Sequence, residues 1–177
     1  EPFSPQDLFQ IVHLQLGPYA QRFGVALSFQ ISSRIPPLLI GDKRRIGLVL
    51  KNLISNAIKF SPKGGRVTVS FDIDPQLKTP VFSVSDQGKG ISRKNQQKLF
   101  KPFSQVEEDS SCCLFACFSP PKKVPSSGVG LSFCKTMVQA MNGGQDEVIG
   151  VESREGKGSR FWFAIPYREA PKDAPLQ

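Results

Sequence analysis

Residues 42–61, DKRRIGLVLKNLISNAIKFS, combine a strongly apolar helical face with two asparagines. Asp42 is a suitable N-cap for a helix, and Pro62 predicts the end of that helix. Asn52 and Asn56 are four residues apart, so their amides share one side of the helix. The apolar residues recur at helical spacing and form the other side: Ile46, Val49, Leu50, Leu53, Ile54, Ala57 and Ile58. Two asparagines alone also fit an ordinary polar surface, but their position within so apolar a helix indicates a function.

The polar side of this helix has the chemistry of a metal and phosphate site. Asparagine oxygens are neutral, hard ligands, so Asn52 and Asn56 can help to hold Mg²⁺ without adding negative charge that would repel a triphosphate. Lys59 follows near the same face and can meet a phosphate group. We therefore take Asn52, Asn56 and Lys59 as candidate catalytic residues, with Phe60 beside them as a candidate nucleotide contact.

A glycine-containing turn, Asp86-Gln-Gly88-Lys-Gly90-Ile91, follows a predicted strand at 81–85. Asp86 can accept a hydrogen bond from an adenine amino group, and the glycines let the backbone approach a ligand closely. The pattern alone is weak, because it also suits a generic turn. The chain has neither a GxxxxGK[ST] nor a GxGxxG motif, which excludes a Walker loop and a Rossmann fingerprint.

Two further motifs flank an irregular stretch at about 102–127. Phe100-Lys-Pro-Phe103-Ser-Gln105 begins it, and the pair Phe100 and Phe103 could anchor a mobile lid, although the motif taken alone is just a buried aromatic pair. The turn Ser126-Ser127-Gly128-Val129-Gly130-Leu131 then opens a predicted helix. A glycine-rich turn at a helix N-terminus is a ready phosphate site, but it can also be a simple loop-to-helix joint.

The remaining pattern predicts an α+β domain. A helix begins near Pro5, strands follow at 25–31 and 38–40, and a hairpin occupies 67–73 and 81–85. A short helix after Ser92 and a final pair of strands at 148–153 and 159–165 complete the order. Helices mixed with hairpins favour one sheet with helices on one face.

Length, charge and cysteine content narrow the class of protein. The chain has 177 residues and a net charge of +8, and its basic residues are scattered, which argues against a nucleic-acid partner. The clustered Cys112, Cys113 and Cys117 are too few for a four-ligand structural zinc site, so we expect them and Cys134 to be reduced thiols. We expect one domain at 1–168 and a tail or linker at 169–177, excised from a longer protein.

Together, in this order and with these spacings, the four motifs resemble the N, G1, F and G2 boxes of sensor histidine kinases. These belong to an ATPase superfamily that includes gyrase, mismatch-repair and heat-shock chaperone ATPases. The resemblance covers nearly the whole chain: the opening EPFSPQDL is similar to the junction after the dimerisation helices, and 150–163 to the closing hairpin. It implies a two-layer α/β sandwich of the Bergerat type, with a mixed, mostly antiparallel sheet, helices on one face and a long ATP lid at about 102–127.

The resemblance also implies what the domain does. ATP and Mg²⁺ would bind at Asn56, Lys59, Phe60, Asp86, Gly88, Gly90, Ile91, Phe103, Ser127, Gly128, Val129, Gly130 and Leu131, with Asn52 and Asn56 holding the metal. The γ-phosphoryl would pass to a histidine on a separate dimerisation domain and then to a response regulator or receiver domain. The domain would face the cytoplasm without contacting membrane or nucleic acid, although its parent can be membrane-anchored.

Two alternatives remain open at this point. Gyrase-type members have a water-activating Glu four residues before the metal-binding Asn, where this chain has Asn52, and an amide cannot take a proton from water. A degenerate nucleotide-binding or scaffold module is suggested by Ser126, where the family has Gly, and by the long, cysteine-containing lid. That lid is either a tolerated insertion or a redox-sensitive or partner-binding element. We expect His13 to be structural or on the surface, so the chain alone should not autophosphorylate.

Overall fold

The computed structural model describes residues 1–101, 130–166 and 168. Within these ranges the helices are α1 (Pro5–Arg22), α2 (Lys43–Phe60), α3 (Arg93–Gln96) and α4 (Gly130–Met141). The strands are β1 (Pro2–Phe3), β2 (Ala26–Ile31), β3 (Leu39–Ile40), β4 (Arg66–Ile73), β5 (Pro80–Asp86), β6 (Ile149–Ser153) and β7 (Ser159–Ala164).

The main sheet has five strands in the order β2-β4-β5-β7-β6. β2 pairs with β4 in parallel, whereas the pairs β4–β5, β5–β7 and β6–β7 are antiparallel. The predicted mixed, mostly antiparallel sheet is therefore confirmed, as are both predicted hairpins.

One short strand lies outside the main sheet. The strand predicted at 38–40 is Leu39–Ile40, and it pairs with Pro2–Phe3, a strand that the sequence analysis missed. The paired residues Phe3 and Leu39 of this small sheet are almost fully buried, at 2% and 1% exposure. A strand of two residues has no periodicity to detect, so only its pairing with Leu39–Ile40 in the folded chain reveals it.

The helices pack on the apolar face of the sheet. Leu27, Phe29 and Ile31 of β2 are in register with Val67, Val69 and Phe71 of β4, so their side chains share one face. The ring of Phe9 in α1 contacts the rings of Phe29 and Phe82, with centroids 5.1 and 5.9 Å apart. Polar side chains occupy the opposite face, where the hydroxyls of Ser28 and Thr68 are 3.3 Å apart.

Helix α2 lies between α1 and α4 and forms the centre of the helical layer. Its buried residues are those predicted from the apolar periodicity, with Gly47 in addition. The Asp42 carboxylate caps its start by accepting a hydrogen bond from the Arg45 backbone N–H at 3.0 Å. Because its apolar side faces the core, α2 directs the two asparagines along a half-buried edge.

A stack of aromatic rings in the core gives a prediction for stability. Phe82 is fully buried, stacked on Phe71 with centroids 3.8 Å apart and on Phe163 at 5.2 Å. Phe82→Leu should lower the free energy of unfolding by about 1–2 kcal/mol, because volume is nearly kept but the ring contacts are lost. Urea unfolding measures this. Leu14→Ala, at a side chain that is 78% exposed, is the control and should change the free energy by less than about 0.5 kcal/mol. Equal effects of the two substitutions would contradict the core assignment.

Candidate functional site

The two asparagines of α2 meet the first residue of α4. The Asn56 amide donates a hydrogen bond to Asn52 Oδ1 at 3.4 Å. A Cβ atom on Gly130 would lie only 2.9 Å from Asn52 Oδ1 and 3.0 Å from its Nδ2. Gly130 therefore lets the α4 backbone approach the asparagine pair, and the structure brings two of the separate sequence motifs together.

The turn after β5 packs against the C-terminal end of α2, beyond the two asparagines. The Gly88 backbone N–H donates a hydrogen bond to Asp86 Oδ1 at 2.8 Å. A Cβ on Gly88 would lie 2.7 Å from the carbonyl oxygen of Phe60. Only glycine allows this approach, because the obstructing atom belongs to the backbone and cannot rotate away. Asn56 and Phe60 are one helical turn apart, about 6 Å along the axis, so both groups line one region.

Asp86 is the partly buried acid of this region. Burial raises the pKa of its carboxyl above the ordinary value, and the nearby backbone N–H groups of Gly88 and Ser159 offset only part of that rise. Ser159 is its neighbour in register on β7. The Gly88 N–H thus orients a carboxylate at the edge of a glycine-rich turn, where it can accept a hydrogen bond from a ligand.

The closing hairpin holds the far end of this turn, which the sequence analysis did not foresee. Ser153 Oγ accepts a hydrogen bond from the Ile91 N–H at 2.8 Å, and Gln96 Nε2 donates to the Ile91 carbonyl at 2.7 Å. Gly156 N–H donates to the Lys89 carbonyl at 2.6 Å. The bonds made by Ser153 and Gly156 join residues more than sixty positions apart, so no local pattern could have revealed them.

Gly90 is required by both its conformation and its surroundings. Its φ is +72°, in the left-handed region that favours glycine, and a Cβ there would collide with the carbonyl oxygen of Arg154. The second glycine of the turn therefore allows the hairpin to pack against the turn, whereas the first glycine allows contact with α2.

Lys59 and Phe60 lie at the exposed end of α2. Lys59 Nζ is 5.9 Å from the centroid of the Phe60 ring, and Phe60 is 52% exposed. In the part of the chain that the structure describes, Lys59 forms no hydrogen bond with the asparagine pair. Leu131 packs against the core from the first turn of α4.

Several predicted site residues lie outside the described residues. These are Phe103, Ser127, Gly128 and Val129, together with Ser126 and the cysteines 112, 113 and 117. Of the predicted thiols, Cys134 is described. It is buried and unpaired, and burial raises the pKa of its thiol to about 12. Cys134 is therefore protonated and unreactive at neutral pH.

Other polar features stand apart from this region. His13 is exposed, and its ring packs against Phe29 with centroids 5.2 Å apart, as expected for a structural or surface histidine. An open cleft of about 260 Å³ lies at the opposite end of α2, lined in part by Ile40, Arg45 and Met141. Among residues 1–101 and 130–166, no helix is long and apolar enough to cross a membrane.

The donor set fits a magnesium nucleotide. Asp86 offers an oriented acceptor for an amino group, and Gly88 and Gly130 leave space where any side chain would intrude. Asn56 uses its NH₂ group to bond Asn52, and no described group donates to its Oδ1, so that oxygen can face a cation. Neutral amide oxygens together with waters and phosphate oxygens are a usual environment for Mg²⁺.

Comparison with known proteins identifies a family to which this chain is similar. Residues 41–169 match the family described as histidine kinase-, DNA gyrase B- and HSP90-like ATPase. The chain is 38% identical over 132 residues to the sensor histidine kinase WalK of Bacillus subtilis, covering 75% of this chain and 19% of WalK. The chain thus spans about a fifth of that relative's length.

Solved structures show the same fold. Full-length ShkA in complex with AMPPNP superimposes with a TM-score of 0.77 at 26% identity, covering 99% of this chain and 32% of ShkA. The histidine kinase ThkA in complex with the response regulator TrrA gives a TM-score of 0.67 at 22% identity, covering 98% of this chain and 43% of ThkA. The predicted two-layer architecture of a histidine kinase catalytic domain is therefore confirmed.

Proposed function

The chain belongs to the family of histidine kinase-, DNA gyrase B- and HSP90-like ATPases, as an ATP-binding catalytic domain of the sensor histidine kinase type, and from this we propose that it binds Mg-ATP and donates the γ-phosphoryl group to a histidine on a separate dimerisation domain. The observation that carries the proposal is that Gly88 contacts α2 at Phe60, one helical turn from Asn56 and about two turns from Asn52 and Gly130. Motifs from three distant parts of the chain line one region.

Each side chain has a proposed task. Asp86 accepts a hydrogen bond from the adenine amino group, while Gly88, Gly90 and Ile91 give the turn its close approach to the base. The oxygens of Asn52 and Asn56 hold Mg²⁺, which when bound neutralises phosphate charge. Lys59 can swing from the exposed end of α2 to meet a phosphate, because its side chain is flexible. Phe60 borders the base.

The remaining residues of the proposed site belong to the lid and to the start of α4. Phe103 anchors the lid, taken as residues 102–127, and Ser127, Gly128 and Val129 lead into Gly130 and Leu131. Backbone N–H groups at this helix start attract phosphate oxygens. The domain is taken to extend over residues 1–168, followed by a tail at 169–177.

Transfer rather than hydrolysis is the proposed outcome. Phosphoryl transfer depends mainly on positioning and charge neutralisation, which the asparagines and Lys59 supply. Water activation needs a base, and the position that would hold one carries the amide of Asn52, which is already bonded to Asn56. A histidine supplied by another domain is then the acceptor.

The proposed partners follow from the family. The acceptor is the dimerisation domain of the parent chain, and the phosphoryl group then passes to a response regulator or receiver domain, the kind of protein bound by ThkA in its complex with TrrA. We place the domain on the cytoplasmic side of its parent, without direct contact with membrane or nucleic acid.

The test combines binding and transfer. Calorimetry of ATP binding with and without Mg²⁺ should give tighter binding with the metal, and a supplied dimerisation domain should become labelled from γ-labelled ATP. The chain alone should not label itself. Binding without transfer to several such domains would favour a nucleotide-sensing scaffold, whereas steady phosphate release without an acceptor would favour a gyrase-type ATPase.

A further inference from the structure

The turn that carries Asp86 is held at both ends by one pair of serines on the closing hairpin. Ser153 ends β6 and Ser159 begins β7, and their hydroxyl oxygens are 2.8 Å apart. Ser159 sits opposite Asp86 in the β5–β7 register, so the two residues are held side by side where the strands end. Ser153 Oγ receives the N–H of Ile91 at 2.8 Å.

The Ser153 hydroxyl has three hydrogen-bond partners. Its oxygen accepts from the Ile91 N–H at 2.8 Å and lies 3.0 Å from the Gly158 carbonyl, to which it can donate. In its bond with the Ser159 hydroxyl at 2.8 Å either oxygen can be the donor.

The Ile91 peptide is fixed from both sides. Gln96 Nε2 donates to the Ile91 carbonyl at 2.7 Å and also to the Ser153 carbonyl at 3.0 Å. The same hairpin residue thus receives bonds from Ile91 and Gln96. A turn fixed at its first residue and its last has few alternative conformations, so the acceptor atoms of Asp86 are held in place before a ligand arrives.

We propose that Ser153 and Ser159 are positioning residues for the adenine end of the nucleotide site, because their linked hydroxyls join Ser159, the strand partner of Asp86 at the start of the turn, to the Ile91 N–H at its end. The proposal rests on the proposed function, since it requires that a nucleotide base binds at Asp86. Neither serine touches the ligand. They act by keeping the Asp86–Ile91 backbone in its binding conformation.

The principal test is nucleotide affinity of the 177-residue chain. Ser153→Ala should weaken the binding of ATP and of adenosine by the same factor, roughly fivefold, as expected for loss of the hydrogen bond that fixes the Ile91 N–H. The ratio of ATP affinities with and without Mg²⁺ should not change, because the metal site lies on α2. Ser153→Thr keeps the hydroxyl and should restore the affinity.

Ser83→Ala is the matched control. Ser83 is buried on β5 three residues before Asp86, and its hydroxyl accepts a hydrogen bond from Arg160 at 2.8 Å. Its loss should lower the melting temperature about as much as Ser153→Ala while leaving nucleotide affinity unchanged. If Ser83→Ala weakens ATP binding as strongly as Ser153→Ala does, a general loss of stability explains both, and the positioning role is wrong.

Amide hydrogen exchange in the nucleotide-free chain tests the geometry directly. Ser153→Ala should accelerate exchange at Ile91 at least about tenfold, with no such change in Ser83→Ala. Should Ser153→Ala fail to fold, Ser159→Ala removes the second hydroxyl of the same network and should weaken ATP binding in the same way. In the double variant the loss should be smaller than the sum of the two single losses.

The outcomes separate the two proposals. A folded wild-type chain that binds no ATP would overturn the proposed function and the positioning role with it. Wild-type binding that neither Ser153→Ala nor Ser159→Ala changes would overturn the positioning role alone. Equal weakening for ATP and adenosine, restored by Thr, supports it.

Discussion

Asp86→Asn should weaken ATP binding roughly 10- to 100-fold, the range expected when a hydrogen bond to a charged group is lost. The Gly88 N–H requires an oxygen acceptor 2.8 Å away. It therefore holds the carbonyl end of the new amide in place of the present carboxylate oxygen. The NH₂ group then occupies the other position, where it meets the adenine amino group as a second donor. Calorimetry on both chains measures the effect.

The same substitution, Asp86→Asn, should not lower the stability of the folded chain. Burial raises the pKa of Asp86 in the folded chain, so ionisation of this group opposes folding at any pH above that raised pKa. Asn has no charge to desolvate, and the melting temperature at neutral pH should stay the same or rise slightly. Loss of binding without loss of stability would separate a ligand contact from a structural carboxylate.

The control for this substitution is Asp72→Asn on the neighbouring strand β4. Asp72 forms an exposed ion pair with Arg34, with N and O atoms 2.7 Å apart, and it lies far along the sheet from the turn. Its change should leave ATP affinity unaltered. If both substitutions weaken ATP binding equally, net charge explains the result and adenine does not bind at Asp86.

The raised pKa also sets a pH dependence. As pH falls through the raised pKa, the carboxylate takes up a proton and offers one acceptor fewer, so ATP binding should weaken at a higher pH than for an ordinary aspartate. Phosphate protonation affects both chains alike. The difference between the wild type and Asp86→Asn should therefore shrink towards acid, and a difference that does not depend on pH would contradict this role of the carboxylate.

The local sequence pattern was sufficient to predict the helices and most strands, but not how all of the strands pair. The α2 boundaries followed from Asp42 and Pro62, and the alternation of Val67, Val69 and Phe71 gave β4 and its buried face. The parallel pairing of β2 with β4 could not be read in the same way, because a long segment that includes α2 separates them. Parallel partners are joined by crossovers whose register no turn sequence encodes.

The same distinction between local and long-range contacts holds for the residues of the site. Residues that form it through one helix or one turn, such as Asn52 with Asn56 and Asp86 with Gly88, were found because spacing alone brings them together. Ser153 and Gln96 were missed, because each acts through contacts made only after the hairpin packs on the turn. A glycine in the sequence indicates that another group packs closely there, but it does not show which group. That Gly130 contacts Asn52 is known only from the folded structure.

Asn56→Ala should abolish the effect of Mg²⁺ on ATP binding and lower phosphoryl transfer to a supplied dimerisation domain by at least about 100-fold. The substitution removes the proposed metal ligand and the NH₂ group that holds Asn52 Oδ1 at 3.4 Å, and loss of positioning and charge stabilisation commonly costs this much. Adenosine binding should be unchanged, because Asp86 lies beyond the end of α2. Ser55→Ala, whose hydroxyl bonds the Asn52 carbonyl of its own helix, is the control and should behave as wild type.

Asn56→Asp separates a metal ligand from a helix-packing residue. A carboxylate repels the bare triphosphate but ligates Mg²⁺ well, so ATP should bind more weakly than to wild type without the metal and recover when it is added. The ratio of ATP affinities with and without Mg²⁺ should therefore rise roughly tenfold above wild type in Asn56→Asp and fall to about one in Asn56→Ala. If both variants show the wild-type ratio, the metal lies elsewhere, and the polar side of α2 serves only to pack Asn52 against Gly130.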